Sequence, residues 1–346
     1  MEKIDIKSMY FDELSSFLTE LSQPKFRTAQ IFKWLHSGIE SFDEMTDIPK
    51  SLRTVLEQKC YIANVSAVKK FKSKIDGTVK YLYRLCDGEY IESVLMKYEH
   101  GYTVCISTQV GCRMGCSFCA SGIDGLTRSL TASEMLSQLT YAQRDENIRV
   151  SNVVMMGMGE PLDNYDNSVR FLHLVSDERG MNIGLRHISL STSGVVSGIK
   201  KLKEENLPIT LSISLHAPND EIRSSIMRVN KKWGIDELLQ ACREYQSVTG
   251  RRISFEYALI DGVNDSEACA YELSRRLKGI MSHVNLIPAN PVKENTFKKP
   301  NKSSIMHFRD KLTGFGVNAT VRRTLGSDID ASCGQLRKRK REEESL

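Results

Sequence analysis

Three cysteines fall within eight residues: Cys112, Cys116 and Cys119, in the string GCRMGCSFCASG (111–122). The chain holds nine cysteines in 346 residues. Nine is odd, and a chain of this length builds a core without covalent staples, so a secreted disulfide framework is not expected. Thiols at this density in a reducing compartment are read as metal ligands. Two groups compete for them. Structural zinc takes four ligands, typically from paired Cys-x2-Cys knuckles, and no second pair is present. A cubane 4Fe-4S cluster takes four thiolates in ferredoxins. Three thiolates leave one iron open to bind a reactive ligand. Phe118, just before the last cysteine, is placed to lie flat against a bound heterocycle, although Phe118 and Met114 read equally well as packing residues.

The elements that must position this triad follow from periodicity. The first sixty residues read as helical, with Ile31, Phe32 and Leu35 at helical spacing and Gly38 as a C-cap. Pro49 suits the first turn of a further helix presenting Leu52, Val55 and Leu56. From about Val65 the period shortens, and Asp76-Gly77 and Asp87-Gly88 separate runs at 79–86 and 90–96 that resemble antiparallel strands. Beyond residue 100, β-branched runs at 102–108, 152–156, 187–191, 209–215, 253–259, 284–288 and 317–322 alternate with helical stretches such as 132–144, 235–248, 266–277 and 303–312. Such alternation predicts a parallel sheet with crossover helices. Six full units fall short of the eight that close a barrel. The expected fold is therefore α/β, a partial parallel (β/α)6-type barrel with an N-terminal helical accessory domain and a short β meander. The expected domains are a helical domain at 1–65, a meander connector at 66–100, the barrel with a C-terminal loop at 101–336, and a charged tail at 337–346.

In α/β barrels chemistry gathers at the C-terminal ends of the strands. The unusual clusters of this sequence fall there. The cysteine triad follows the first barrel strand and Gly157-Met158-Gly159-Glu160 the second. Ser191 to Gly194 ends the third, Ser214-Leu215-His216 the fourth, Pro288-Ala289-Asn290 the sixth, and Cys333 lies past the seventh. Taken singly, a Gly-rich turn or a lone His216 is an ordinary structural feature. Together they suggest one shared site.

Cys-x3-Cys-x2-Cys with an aromatic before the third cysteine resembles the radical S-adenosylmethionine superfamily. MGMGEP (156–161), LSTSGVV (190–196), SLHAPND (214–220), DGVND (261–265), VNLIPAN (284–290) and DIDASCGQL (328–336) are together similar to the RlmN/Cfr family of adenine methyltransferases. FRTAQIFKWL (26–35) and IESV (91–94) resemble that family too. Departures are small: Ala289 stands where relatives often carry a bulky residue, and Ser332 where alanine is commoner.

The resemblance implies one 4Fe-4S cluster per chain, held by Cys112, Cys116 and Cys119, which reduces S-adenosylmethionine to a 5′-deoxyadenosyl radical. Gly159 and Glu160 would hold the methionine end of that molecule. Ser191, Ser214, Leu215, His216, Asn290 and Phe118 would complete its pocket. It further implies that Cys333 first accepts a methyl group, that two S-adenosylmethionine molecules are consumed per methylation, and that Cys105 ends in a disulfide with Cys333. Glu92 becomes the candidate proton acceptor. The implied substrates are an adenine of 23S rRNA near the peptidyl transferase centre and the adenine beside the anticodon in tRNAs, modified at carbon 2; the Cfr branch, acting at carbon 8, is the alternative. The implied electron donor is low-potential, such as flavodoxin or ferredoxin, and the chain is expected to be a monomer.

Composition is compatible with this reading. The charged fraction is 26% and the hydrophobic fraction 40%, which excludes disorder as the main state. No apolar run approaches a membrane span and the N-terminus lacks a secretory h-region, so a cytoplasmic protein is expected. A net charge of +5 permits an RNA partner without demanding one. Lys69, Lys70, Lys72 and Lys74 around Phe71, and Lys293, Lys298, Lys299 and Lys302, are the candidate phosphate contacts, or else solvated surface. Cys60, Cys86, Cys242 and Cys269 read as packing or surface residues. A radical enzyme acting on a protein or metabolite has no use for the Cys105/Cys333 pair. A zinc-stabilised RNA-binding module would lack iron.

Overall fold

A computed structural model describes residues 3–289 and 297–329. Asn290, Lys293, Cys333 and the charged tail lie outside the described residues.

The chain opens with β1 (Ile4–Asp5), α1 (Phe11–Glu20), α2 (Phe26–Ser37), α3 (Lys50–Lys59) and β2 (Cys60–Tyr61), with β1 and β2 paired in parallel. Gly38 ends α2 in the left-handed region at φ +86°, and a Cβ there would lie 2.7 Å from Thr140 Cβ. This glycine both closes the helix and lets the N-terminal layer sit against the next one. Lys7, fully buried at the same junction, donates to Ser137 Oγ at 2.9 Å.

Strands β3 (Ser66–Lys72), β4 (Val79–Arg84) and β5 (Tyr90–Tyr98) form an antiparallel meander, and β6 (Gly101–Cys105) pairs antiparallel to β5. A short antiparallel ladder of β7 (Gln109–Gly111) and β8 (Leu126–Ser129) follows. Then come α4 (Ala132–Glu146), β9 (Val150–Met155), α5 (Tyr165–Ser176), β10 (Ile188–Thr192), α6 (Val196–Glu205) and β11 (Thr210–Ser214). The chain continues through α7 (Asp220–Ile226), α8 (Ile235–Thr249), β12 (Ile253–Leu259), α9 (Glu267–Leu277), β13 (Ser282–Pro288), α10 (Lys302–Gly314) and β14 (Ala319–Val321).

One ten-stranded sheet runs β14-β13-β12-β11-β10-β9-β6-β5-β4-β3. Its strands from β6 to β14 are parallel, each joined to the next by a helical crossover, as the alternating pattern predicts. The wall has two open ends, β14 and β3, and so is the partial barrel expected. Strand alternation explains its two faces. In β12, Phe255, Tyr257 and Leu259 join the main apolar core, while Glu256 and Ala258 turn inward to the cavity. The meander at 66–100 continues the barrel wall by direct pairing, bringing the inward faces of β4 and β5 beside that of β6.

Two of the candidate phosphate-binding lysines are otherwise engaged. Lys70 Nζ lies 2.6 Å from Asp145 and 2.7 Å from Glu146, and Lys72 pairs with Glu146 at 2.6 Å. They fasten the edge strand β3 to α4, because both strand and helix end there with opposite charges. Lys298, Lys299 and Lys302 are exposed. Among the described residues no helix is long and apolar enough to cross a membrane.

Candidate functional site

The strand ends surround a cavity of about 290 Å³, lined by Cys112, Cys116, Cys119 and Phe118 on one side and by Gly159, Glu160, Ser191, Ser214 and His216 around the wall. Eight residues predicted from different strand ends and loops thus meet in one place, together with His216. Leu215 behaves otherwise: it is not part of the cavity lining, and its side chain packs in the main core. Its N–H donates to Glu256 O at 3.1 Å.

The three cysteines sit on a loop held at both ends by the β7–β8 ladder, where Gly111 pairs with Leu126. Their thiols lie close enough to perturb one another. Burial pushes Cys112 up to about 12 and Cys116 higher still, and each neighbouring thiol adds to the rise at Cys116. Without a cation these thiols stay protonated; coordination must remove their protons. Among the described residues no three His, Cys, Asp or Glu side chains close around one point as a single ion requires. A cubane makes a different demand, since each thiolate meets its own iron. Three cysteines bordering an open cavity fit that donor set.

Glu160 is fully buried yet charge-compensated by backbone. Ser193 N–H donates to its Oε2 at 2.6 Å and Leu162 N–H to its Oε1 at 3.0 Å. Burial raises its carboxyl above the usual range against these donors. Gly159 precedes it at φ +102°, where a Cβ would fall 2.6 Å from Gln109 Cβ, so the turn admits only glycine. Gln109 closes the turn by accepting from Glu160 N–H at 2.9 Å.

His216 adopts φ +58°, unusual for a side-chain-bearing residue. It is held there from three directions. Ala258 N–H donates to its Nδ1 at 2.9 Å, Asn264 Nδ2 donates to its carbonyl at 2.7 Å, and the Phe118 ring meets it edge-to-face at 4.9 Å between centroids. Burial lowers its pKa to about 3, so the imidazole is neutral with its proton on Nε2.

Several residues that build the site are invisible to motif reading. Arg223 is fully buried and donates to Ser193 O at 2.6 Å, Ser214 O at 3.2 Å, Leu215 O at 3.1 Å and Asn230 Oδ1 at 2.9 Å. It ties the loops after β10 and β11 together beneath the cavity. Arginine at that place reads as helix surface until the loops close over it. We expect Arg223→Met to leave those carbonyls unsatisfied and to cost about 3 kcal/mol, measured by denaturant unfolding, with S-adenosylmethionine binding weakened as well. Unchanged stability would show that the carbonyls find other donors. Glu256 also lines the cavity, its carboxylate accepting from Ser254 Oγ at 3.0 Å and Asn285 Nδ2 at 2.8 Å, and burial pushes its pKa up.

Cys105 and Glu92 lie outside the cavity lining but beside it. Val94, Met96 and Cys105 form an apolar cluster on the inward face of β5 and β6, against which Met156 and Leu325 pack; Met156 also lines the cavity. Glu92 lies one inward position from Val94, and its Oε2 is 3.0 Å from Lys80 Nζ, with both side chains fully enclosed. Ser107 Oγ donates to Glu92 O at 2.6 Å and accepts from Met158 N–H at 3.0 Å, joining β5 to the Gly-rich turn. The terminal segment is clasped to the meander. Ser73 Oγ donates to Asp328 at 2.6 Å, Lys74 N–H donates to Asp328 at 2.9 Å, and Gly326 N–H donates to Asp76 at 2.8 Å. Cys60, Cys242 and Cys269 are buried in the core and Cys86 is exposed.

Comparison with known proteins agrees with this geometry. The Radical SAM superfamily matches residues 106–271, and the ribosomal RNA large subunit methyltransferase N-terminal domain matches residues 4–62. The probable dual-specificity RNA methyltransferase RlmN of Alkaliphilus oremlandii is 54% identical over 98% of this chain and 99% of its own length. The protein of the same description from Clostridioides difficile is 49% identical over 98% of each. A radical SAM methyltransferase from Sphaerobacter thermophilus superposes with a TM-score of 0.92 at 45% identity, covering 96% of this chain and 98% of its own. Superfamily membership implies a 4Fe-4S cluster and S-adenosylmethionine. The chain belongs to the RlmN family of radical S-adenosylmethionine RNA methyltransferases.

Proposed function

We propose that the chain methylates carbon 2 of an adenine in 23S rRNA and of the adenine beside the anticodon in tRNAs, through a methyl group first carried on Cys333. The relatives' description as dual-specificity RNA methyltransferases supports the pair of substrates. One observation supports the covalent route above others: Leu325, in the terminal segment that leads to Cys333, packs on the cluster containing Cys105.

Carbon 2 of adenine carries a hydrogen that is not usefully acidic and no lone pair to attack a sulfonium methyl. When bound, the cluster and S-adenosylmethionine supply a methyl group and a carbon radical, the hard steps that protein side chains cannot perform. Cys112, Cys116 and Cys119 would hold the cluster. Gly159 and Glu160 would receive the amino-acid end of S-adenosylmethionine, with Ser191, Ser214, Leu215, His216, Asn290 and Phe118 around the rest. Neutral His216 offers an N–H without adding charge beside the cluster. Cys333 would join the methylene carbon to the base, Glu92 would take the ring proton, and Cys105 thiolate would attack the Cys333 sulfur to release methylated RNA as the disulfide forms, the one unpaired electron left by the radical addition passing to the oxidised electron carrier. Electrons would come from a low-potential flavodoxin or ferredoxin to a cytoplasmic monomer.

Mass mapping of nucleosides after anaerobic turnover with reductant tests the reading. The expected product is 2-methyladenosine in both an rRNA fragment and tRNA. A product at carbon 8 would favour the Cfr-type alternative, and unmodified RNA despite a loaded cluster would overturn the substrate class.

A further inference from the structure

Lys80 is the second residue of β4, a strand with every residue but its last buried, and its own side chain has no exposure. Lysine is almost never buried without a partner. Its partner is Glu92, 3.0 Å away on the neighbouring strand, equally enclosed. In the ladder Leu82 faces Glu92 and Lys80 faces Val94, so the pair is a diagonal one on the inward face. Removing two charges from water costs several kcal/mol per ion, and apolar replacements of such pairs are often neutral or stabilising. Stability alone does not explain why this wall keeps them. Their location does: Val94, beside Glu92 on the same face, packs with Cys105, and that cluster touches Met156 at the cavity.

We propose that Lys80 is a positioning residue for the reaction, holding the Glu92 side chain fixed on the inward face of the barrel wall until the substrate base arrives. The inference rests on the reading of Glu92 as proton acceptor. A general base must stand within hydrogen-bond reach of the proton it takes, so its direction in the wall matters before anything else. The 3.0 Å contact with Lys80 Nζ sets that direction. In the step itself the carbon 2–hydrogen bond breaks heterolytically, its electron pair stays in the base, and the proton passes to the Glu92 carboxylate. Lys80 takes no part in the bond changes.

The test uses the full chain with its cluster loaded and an rRNA fragment containing the target adenine, in single turnover. Three quantities are read: methyl on the Cys333 peptide, protein that stays on RNA in denaturant, and methylated RNA released. Lys80→Gln should keep the native methyl content of Cys333, release RNA about tenfold or more slowly, and accumulate the RNA-bound protein. Lys80→Arg, which restores the charge, should return release to within about threefold of the native rate. A merely structural lysine would lower all three quantities together. Native release by Lys80→Gln while Glu92→Gln stalls overturns the proposal. Native release by Glu92→Gln removes the base assignment itself, which is a different failure. Should Lys80→Gln not fold, the decision passes to Lys80→Arg, whose stalling in a folded, cluster-loaded protein overturns the role.

Discussion

Alanine at any one of Cys112, Cys116 or Cys119 should give a folded protein without cluster and without release of deoxyadenosine. The loop is anchored by the β7–β8 ladder outside the triad, so folding survives the loss of one thiol. Cluster binding does not. Two thiolates leave two irons without protein ligands, and burial that holds the remaining thiols protonated is no longer offset by three iron–sulfur bonds. Replacing even an outer residue of a metal site lowers affinity by about 10- to 100-fold, and losing a direct ligand should exceed that. Iron and sulfide content, visible absorbance and deoxyadenosine yield are the measurements. A Cys116→Ala protein with full iron and undiminished cleavage would sink the assignment of the triad.

The sequence pattern makes the parallel wall legible because its strands are short apolar runs between long amphipathic helices. Ile253–Leu259 comes out with its bounds intact, since β-branched and aromatic residues fill it and turns flank it. The strand expected at 284–288 begins two residues early, at Ser282, because backbone pairing to β12 recruits polar residues that carry no apolar signal. The β7–β8 ladder escapes notice for the same reason. At three and four residues it is too short for periodicity to register.

The site divides along a similar line. Residues with distinctive chemistry at strand ends, such as the triad, Glu160 and His216, are found by spacing and by family resemblance. Arg223, Asn264 and Lys80 are not, because a charged or amide side chain in sequence reads as solvated surface. Only the folded chain reveals that Arg223 faces four acceptors and that Asn264 bridges His216 and Ala258 carbonyls. The one sequence signal available for Lys80 was its place inside VKYLYR, a run otherwise too apolar and aromatic for an exposed strand. Lysines at Lys70 and Lys72 give the opposite lesson: clustered charge suggests phosphate, yet acids distant in sequence take up both.

The largest contrast is expected between Cys105 and Cys333, because the proposed relay gives them unequal tasks. Without Cys333 there is no methyl carrier, so Cys333→Ala should form neither product nor a protein–RNA bond. Without Cys105 the methyl can still be loaded and joined to the adenine, but no thiolate remains to attack the sulfur that tethers the base. Cys105→Ala should therefore accumulate protein covalently attached to RNA, stable to denaturant and freed by nuclease. Packing makes a different forecast. Cys105 is buried among Val94, Met96 and Met156, and losing a small buried group there would cost about 1 kcal/mol of stability, lowering activity without any covalent product. The double variant decides between them, since it should behave as Cys333→Ala does and form no bond. Denaturing gel mobility with labelled RNA reads all three proteins. Normal turnover by Cys105→Ala, or a crosslink in the double variant, would remove the relay from the mechanism and leave Cys105 as a residue of the barrel wall.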